Sequence, residues 1–166
     1  MDVNAVIVML VVCAYGLWLA VAVFNNISDF QTNRALIARM VSMDDIKSDP
    51  VMGNNLQWRA MDGRRWSLFI FLPVVFYQVL TVAQFAVAGT SVVVELWTTG
   101  SISHGLVAQI NIAFLLALML WFTFLIGGLW FGYWIKMPQV QSAHLMLAML
   151  TLFCITLVNI LLPATQ

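Results

Sequence analysis

Charged residues are scarce in this chain. Asp, Glu, Lys and Arg together make up only 8% of its 166 residues, whereas hydrophobic residues make up 63%. A soluble domain carries about 25% charged residues and about 45–50% apolar ones. So few charges cannot cover a water-facing surface, and the mean hydropathy of +0.96 agrees with this. The composition therefore excludes a soluble fold and predicts an integral membrane protein.

The chain also has few of the residues that binding and catalytic chemistry needs. Its seven basic residues balance seven acidic ones, which leaves no positive excess for nucleic acid. Two cysteines cannot build a disulfide scaffold. His104 and His144 fall near opposite ends of predicted membrane spans, about 30 Å apart, so they cannot share one haem. No nucleophile–base motif, phosphate loop or metal-binding motif is present. We expect no enzyme activity, no catalytic residues, no cofactor and no metal site.

Four apolar stretches are long enough to cross a bilayer as helices, because a hydrocarbon core of about 30 Å needs roughly 20 helical residues. They cover residues 3–24, 66–94, 107–131 and 143–162. The one long polar connection is residues 25–65. The sequence thus predicts an all-α fold, a single membrane domain over residues 1–166 in which four transmembrane helices form a bundle.

The basic residues predict the orientation of these spans. Six of them lie within residues 25–65, and the seventh, Lys136, lies between the third and fourth spans. Short loops rich in Lys and Arg stay in the cytoplasm. We therefore expect residues 25–65 and 132–142 on the cytoplasmic side. Both termini and the 95–106 connection are expected on the outer side.

The long connection contains the pattern of a short amphipathic helix over Thr32–Met43. Such a helix lies at the membrane surface with its apolar side down; alternatively, the same side docks on another protein. Ser42–Asp45 resembles a capping box at the start of a further helical turn. The apolar side would carry Leu36, Ile37, Met40 and Val41.

Small residues four apart indicate where helices approach closely in lipid. Gly128 and Gly132 form a G-x-x-x-G sequence, and Gly16 and Ala20 have the same spacing. Glu95, at the outer rim with His104 across a short loop, is expected to be an interfacial residue in water. Polar side chains inside the spans predict hydrogen bonds between helices or, alternatively, the lining of a cavity. They are Gln78, Thr81, Gln84, Asn111 and Asn159.

Several short segments resemble those of one bacterial family. They are Asn26–Phe30, Val41–Asp44, Trp58–Met61 and Ile126–Phe131, the last followed by Trp134 and Gln141. Together they are similar to the predicted small integral membrane proteins, domain of unknown function 2165, over nearly the whole chain. The resemblance implies a four-span protein of the bacterial inner membrane whose outer side is the periplasm, and it supplies no mechanism. Members often carry Glu where this chain has Leu129, so any role of that Glu is missing here.

The predicted topology brings several polar and aromatic residues together at the cytoplasmic membrane face. We expect a hydrogen-bonded, aromatic-lined patch that either braces the loop or docks a partner. The residues of this patch would be Asn26, Asp29, Ser42, Asp44, Arg59, Trp130, Tyr133 and Trp134, with Gly128 and Gly132 as packing residues.

Two functions fit these features. The first is a non-catalytic accessory or structural subunit of a larger membrane complex, for example a respiratory, redox or other energy-converting assembly. Its partners would be larger membrane protein subunits and the lipid bilayer. The second is a self-contained small transporter or lipophile-binding membrane protein that acts as an oligomer, with Gln78, Thr81, Gln84 and Asn111 around a cavity.

Overall fold

A computed structural model of the chain describes residues 2–49 and 51–162, and these residues contain helices and turns but no strand. Short 3₁₀ turns occur at Asn54–Arg59 and Tyr133–Ile135. The helices are α1 (Val3–Ser28), α2 (Phe30–Ser42), α3 (Asp44–Lys47), α4 (Gly63–Thr99), α5 (His104–Phe131) and α6 (Pro138–Leu161). Four of them, α1, α4, α5 and α6, are long and apolar enough to cross a membrane. The predicted all-α fold with four long apolar helices is confirmed.

The long helices extend beyond the apolar spans predicted from the sequence. The clearest case is α4, whose 37 residues make a helix of about 55 Å, compared with a hydrocarbon core of about 30 Å. Polar residues end an apolar run but not a helix, because the backbone hydrogen bonds continue through them. The ends of α4, including Arg64 and Arg65, therefore reach the headgroup layer.

The chain divides into two compact units, each built from parts of several helices. Residues 2–23, 78–119 and 149–162 form the first unit, and residues 24–49, 51–77 and 120–148 form the second.

Aromatic rings fill the middle of the first unit. The ring centroids of Tyr15, Phe85 and Phe114 lie 5.0–5.2 Å apart. The Tyr15 hydroxyl is 2.6 Å from the hydroxyl of Thr151, so the buried polar end of the ring is satisfied. A Cβ at Gly16 would lie 3.0 Å from Cβ of Phe85. The small residue therefore lets α1 approach α4 closely, as the spacing predicts.

Two polar pairs complete the first unit. The amides of Asn111 and Asn159 bond each other reciprocally, at 3.0 and 2.9 Å, which confirms the predicted hydrogen bond between helices. The Glu95 carboxylate accepts from the backbone N–H of Ser103 at 2.6 Å and from its hydroxyl at 3.2 Å. Glu95 thus ties the end of α4 to the start of α5.

The second unit contains the polar connection. Asp29 caps α2 by accepting from the backbone N–H of Thr32. The helix ends at Met43, whose φ of 56° turns the chain directly into α3. The predicted capping box is wrong, because the Ser42 hydroxyl donates to the carbonyl of Arg39 and Met43 occupies the N-cap of α3 without a side-chain bond.

The helix α2 packs directly on the start of α4. A Cβ at Gly63 would overlap the carbonyl oxygen of Ala38, so only glycine permits this approach. The N–H of Met61 donates to the carbonyl of Val41 at 2.9 Å. Along the predicted apolar side of α2, Val41 is buried while Leu36 is exposed, so only part of that side enters the protein core.

Candidate functional site

An arginine in the second unit lies between two tryptophans. The Arg59 guanidinium carbon is 5.2 Å from the ring centroid of Trp58 and 4.8 Å from that of Trp130. Its Nη1 donates to the Trp130 carbonyl at 3.2 Å. The two indoles meet edge to face, with centroids 5.9 Å apart. We call Trp58, Arg59 and Trp130 the tryptophan–arginine cluster.

Local backbone geometry presents this cluster. The 3₁₀ turn Asn54–Arg59 begins after Gly53, whose φ of 76° lies in the left-handed region that favours glycine. Trp58 and Arg59 are its last two residues, whereas Trp130 comes from the end of α5. The cluster therefore fastens the polar connection to a long helix.

The cluster exposes its rings and buries part of its charge. Trp58 is 72% exposed and Trp130 is 48% exposed. In contrast, Nε of Arg59 is buried and has no hydrogen-bond partner among the described residues. A cation over an aromatic face is attracted to it by about 0.5–2 kcal/mol. Indole faces and guanidinium donors are groups that bind rather than groups that transfer protons.

Two ion pairs brace the connection near α3. Lys136 pairs with Asp49, and Arg39 pairs with Asp45 at 2.6 Å. The hydrogen bond from Lys136, together with those from the backbone N–H groups of Met52 and Val51, lowers the pKa of the Asp49 carboxyl to about 2. The hydrogen bond to Asp45 raises the pKa of the Arg39 guanidinium.

The two glycines of the G-x-x-x-G sequence have different roles. A Cβ at Gly128 would overlap Oε1 of Gln141 and lie 2.8 Å from Cζ of Tyr133. Gly132 lies one residue beyond the end of α5, with φ of 65°. Gly128 therefore leaves room for the side chains of Gln141, on α6, and Tyr133, whereas Gly132 turns the chain after α5.

Tyr133 joins the same packing region. Its hydroxyl donates to the Phe124 carbonyl at 3.0 Å and lies 3.4 Å from Nδ1 of His144. Burial raises the pKa of Tyr133 to about 12, so the phenol stays neutral at physiological pH. Gln141 donates to the Leu125 carbonyl at 3.3 Å, and its buried Oε1 has no hydrogen-bond partner in the described chain.

The residues of the predicted patch are only partly brought together. Arg59 contacts Trp130 as described, whereas Asp29 caps α2 and Asp44 lies in the first turn of α3. Asn26 is half-buried near the end of α1, and Trp134 is exposed in the second 3₁₀ turn.

Sequence reasoning missed the partners of Asp49 and the participation of Trp58 in the cluster. The position of Trp58 directly before Arg59 in the sequence was the signal from which its participation in the cluster could have been predicted.

An apolar groove of about 430 Å³ lies between α1 and α4 within the first unit. Small residues line much of it, among them Gly16, Ala20, Ala86 and Gly89. Its lining does not include Gln78, Thr81, Gln84 or Asn111. Gln78 and Thr81 are buried, and Asn111 bonds Asn159, so these three polar residues take part in helix packing.

Metal-ligating side chains are dispersed. Within residues 2–49 and 51–162, no three His, Cys, Asp or Glu residues are grouped so that they could hold a metal ion.

Comparison with known families gives one result. A family model described as DUF2165, predicted small integral membrane protein, matches residues 4–161, which confirms the resemblance seen in the short segments. No curated protein and no solved structure matches the chain.

Proposed function

Since this chain belongs to the DUF2165 family of predicted small integral membrane proteins, we propose that it is a non-catalytic accessory subunit of a larger complex in the bacterial inner membrane. In this proposal it carries out no chemistry of its own. It packs beside larger membrane subunits, and the tryptophan–arginine cluster docks on one of them. The larger complex in this proposal is a respiratory, redox or other energy-converting assembly.

The observation that carries this proposal is the exposure of the cluster. A tryptophan side chain that is 72% exposed offers a large apolar ring held rigid by its neighbour, Arg59. Trp and Arg are the residue types most often found to dominate binding energy at protein interfaces.

The long helices also leave much apolar surface outside the protein core. In the most apolar windows of α4 and α6, 22% of the residues are buried, and in those of α1 and α5, 33% are. Lipid tails cover such surface without cost, and so do the helices of another subunit.

A mild-detergent pull-down of the tagged chain from native membranes tests the proposal. We expect a larger membrane protein near one-to-one stoichiometry, measured by mass spectrometry. Trp58→Ala should lose most of that partner, because truncating a central interface tryptophan costs about 2 kcal/mol or more. The matched control is Trp97→Ala, which removes an 88% exposed tryptophan in the first unit and should retain the partner. Purification of the chain alone, or equal losses in both variants, would remove the support for this function.

The second candidate function is lipophile binding, and the groove between α1 and α4 favours it. Its volume and apolar lining suit an apolar small molecule. A Cβ at Gly89 would lie 3.5 Å from Sγ of Cys13, so Gly89→Leu would fill the groove. The purified variant should retain less added diphenylhexatriene than the unaltered chain. The control is Gly105→Leu, at a glycine with nothing within 4 Å of a Cβ; equal retention by all three proteins would end this alternative.

A further inference from the structure

Three arginines of the second unit lie around the start of α4. Arg34, on α2, donates from Nε to the hydroxyl of Ser67 and from Nη2 to the carbonyl of Arg64, both at 3.3 Å. Ser67 is 1% exposed, so the Arg34 side chain is anchored at a buried point. These bonds hold the Arg34 guanidinium against the first turn of α4, which carries Arg64 and Arg65. We call Arg34, Arg64 and Arg65 the arginine triad.

The charge of the triad is not compensated within the described chain. None of its three guanidinium groups forms an ion pair with a carboxylate of the described residues, whereas Arg39 and Lys136 each do. The neighbouring carboxylate is Asp62, and its Oδ1 accepts from the backbone N–H groups of Arg64 and Arg65 at 3.0 and 3.4 Å. Three positive charges therefore face one negative charge that already caps the helix.

Basic residues in the first turn of α4 are also unfavourable for the stability of that helix. The N-terminal end of a helix carries a partial positive charge, and the first turn of α4 has no acidic residue. Two arginines there repel the helix dipole and each other. An external anion would remove that repulsion.

The triad lies at the level where lipid headgroups are found. The apolar part of α4 begins at Trp66, directly after Arg65. Trp66 is partly exposed and packs beside Phe69, with ring centroids 6.0 Å apart. Tryptophan favours the boundary between hydrocarbon and headgroups, so Trp66 indicates that the arginines before it lie on the headgroup side of that boundary.

We propose that the arginine triad is a binding site for the phosphate headgroup of an anionic phospholipid, whose acyl chains lie along the apolar residues that follow in α4. Arg34 uses Nε and Nη2 inside the protein, which leaves its Nη1 for a phosphate oxygen. Arg64 and Arg65 supply guanidinium forks, the groups best suited to phosphate. This site is independent of the proposed accessory role and of the tryptophan–arginine cluster.

Lipid titration followed by native mass spectrometry tests the site. The probes are phosphatidylglycerol and phosphatidylcholine with the same acyl chains, added to the purified full chain in a non-ionic detergent. We expect tighter binding of phosphatidylglycerol. Each basic residue near an anionic headgroup contributes about fivefold in affinity, so Arg64→Gln and Arg65→Gln should each weaken phosphatidylglycerol binding about fivefold and the double variant about twenty-five-fold.

A matched control and a second readout keep the proposal falsifiable. Lys47→Gln removes an exposed positive charge from α3 of the same unit and should change the affinity less than twofold. In lipid-free detergent, Arg64→Gln and Arg65→Gln should unfold at a temperature no lower than the unaltered chain, since the replaced arginines make no ion pair in the described chain and repel the N-terminal end of α4.

Three results would overturn the site: equal affinity for the two lipids, an equal loss with Lys47→Gln, or unfolding of both arginine variants without lipid. Inorganic phosphate alone should leave the midpoint of thermal unfolding unchanged. If inorganic phosphate raised this midpoint as much as phosphatidylglycerol does, the triad would be a site for a free anion, and the lipid proposal would be contradicted.

Discussion

The two adjacent glycines of α5 differ in what surrounds them. A Cβ at Gly128 would clash with the side chains of Gln141 and Tyr133, whereas nothing lies within 4 Å of a Cβ at Gly127. The spacing in the sequence distinguishes Gly128, which lies four residues before Gly132, but it does not show what contacts either glycine. Only the structure shows that side chains from the following segment occupy the space that a Cβ at Gly128 would need.

Replacement of these glycines by alanine should therefore have opposite effects. Gly128→Ala forces a buried methyl group against two side chains, and we expect it to lower the free energy of unfolding by about 1–3 kcal/mol. Gly127→Ala should leave stability unchanged or raise it by up to about 1 kcal/mol, because alanine favours the helix. Thermal unfolding in detergent checks both variants, and a loss of stability in Gly127→Ala as large as in Gly128→Ala would refute the packing explanation.

At the scale of elements, hydropathy predicted which segments cross the membrane but not where their helices end. The apolar run that begins at Trp66 belongs to a helix that begins at Gly63, because backbone hydrogen bonds do not depend on side-chain polarity. The Asn111–Asn159 bond followed from the cost of an unpaired amide in lipid. The contact of Arg59 with Trp130 spans 71 positions. The predicted topology places both residues in one patch at the cytoplasmic membrane face, but no local pattern encodes their direct pairing.

The pairing of Asp49 with Lys136 predicts a pH dependence. The pKa of this carboxyl is lowered from 3.8 to about 2, so the ionised form stabilises the folded state. That contribution is fully present above about pH 4 and is lost as the pH falls through about 2. We expect the midpoint of thermal unfolding to fall over this interval in the unaltered chain.

Two variants isolate that contribution. Asp49→Asn and Lys136→Gln should both unfold at a lower temperature at pH 5, and in Asp49→Asn the fall between pH 4 and pH 2 should be smaller. Lys47→Gln serves as the control, because Lys47 forms no ion pair in the described chain. If the midpoint of thermal unfolding fell between pH 4 and pH 2 as much in Asp49→Asn as in the unaltered chain, other carboxylates would govern this pH dependence.

At the scale of the whole molecule, the orientation remains a prediction from the basic residues. It is tested with single reporter cysteines after replacement of Cys13 and Cys154. Asn55→Cys and Ser101→Cys are suitable because both positions are exposed, whereas Gly100 has a φ of 77° that disfavours substitution. An impermeant thiol reagent should label position 101 on intact cells and position 55 only after permeabilisation. The reverse pattern would invert the topology.

The most direct measurement of the accessory role is photo-crosslinking in native membranes. A benzophenone amino acid at position 58 places the reactive group in the tryptophan–arginine cluster. The same group at position 97 provides a control in the first unit, where the native tryptophan is more exposed than Trp58. We predict one discrete crosslinked product with a larger membrane protein from position 58 and no such product from position 97. No product from position 58, or a product that contains only two copies of this chain, would contradict the proposed function.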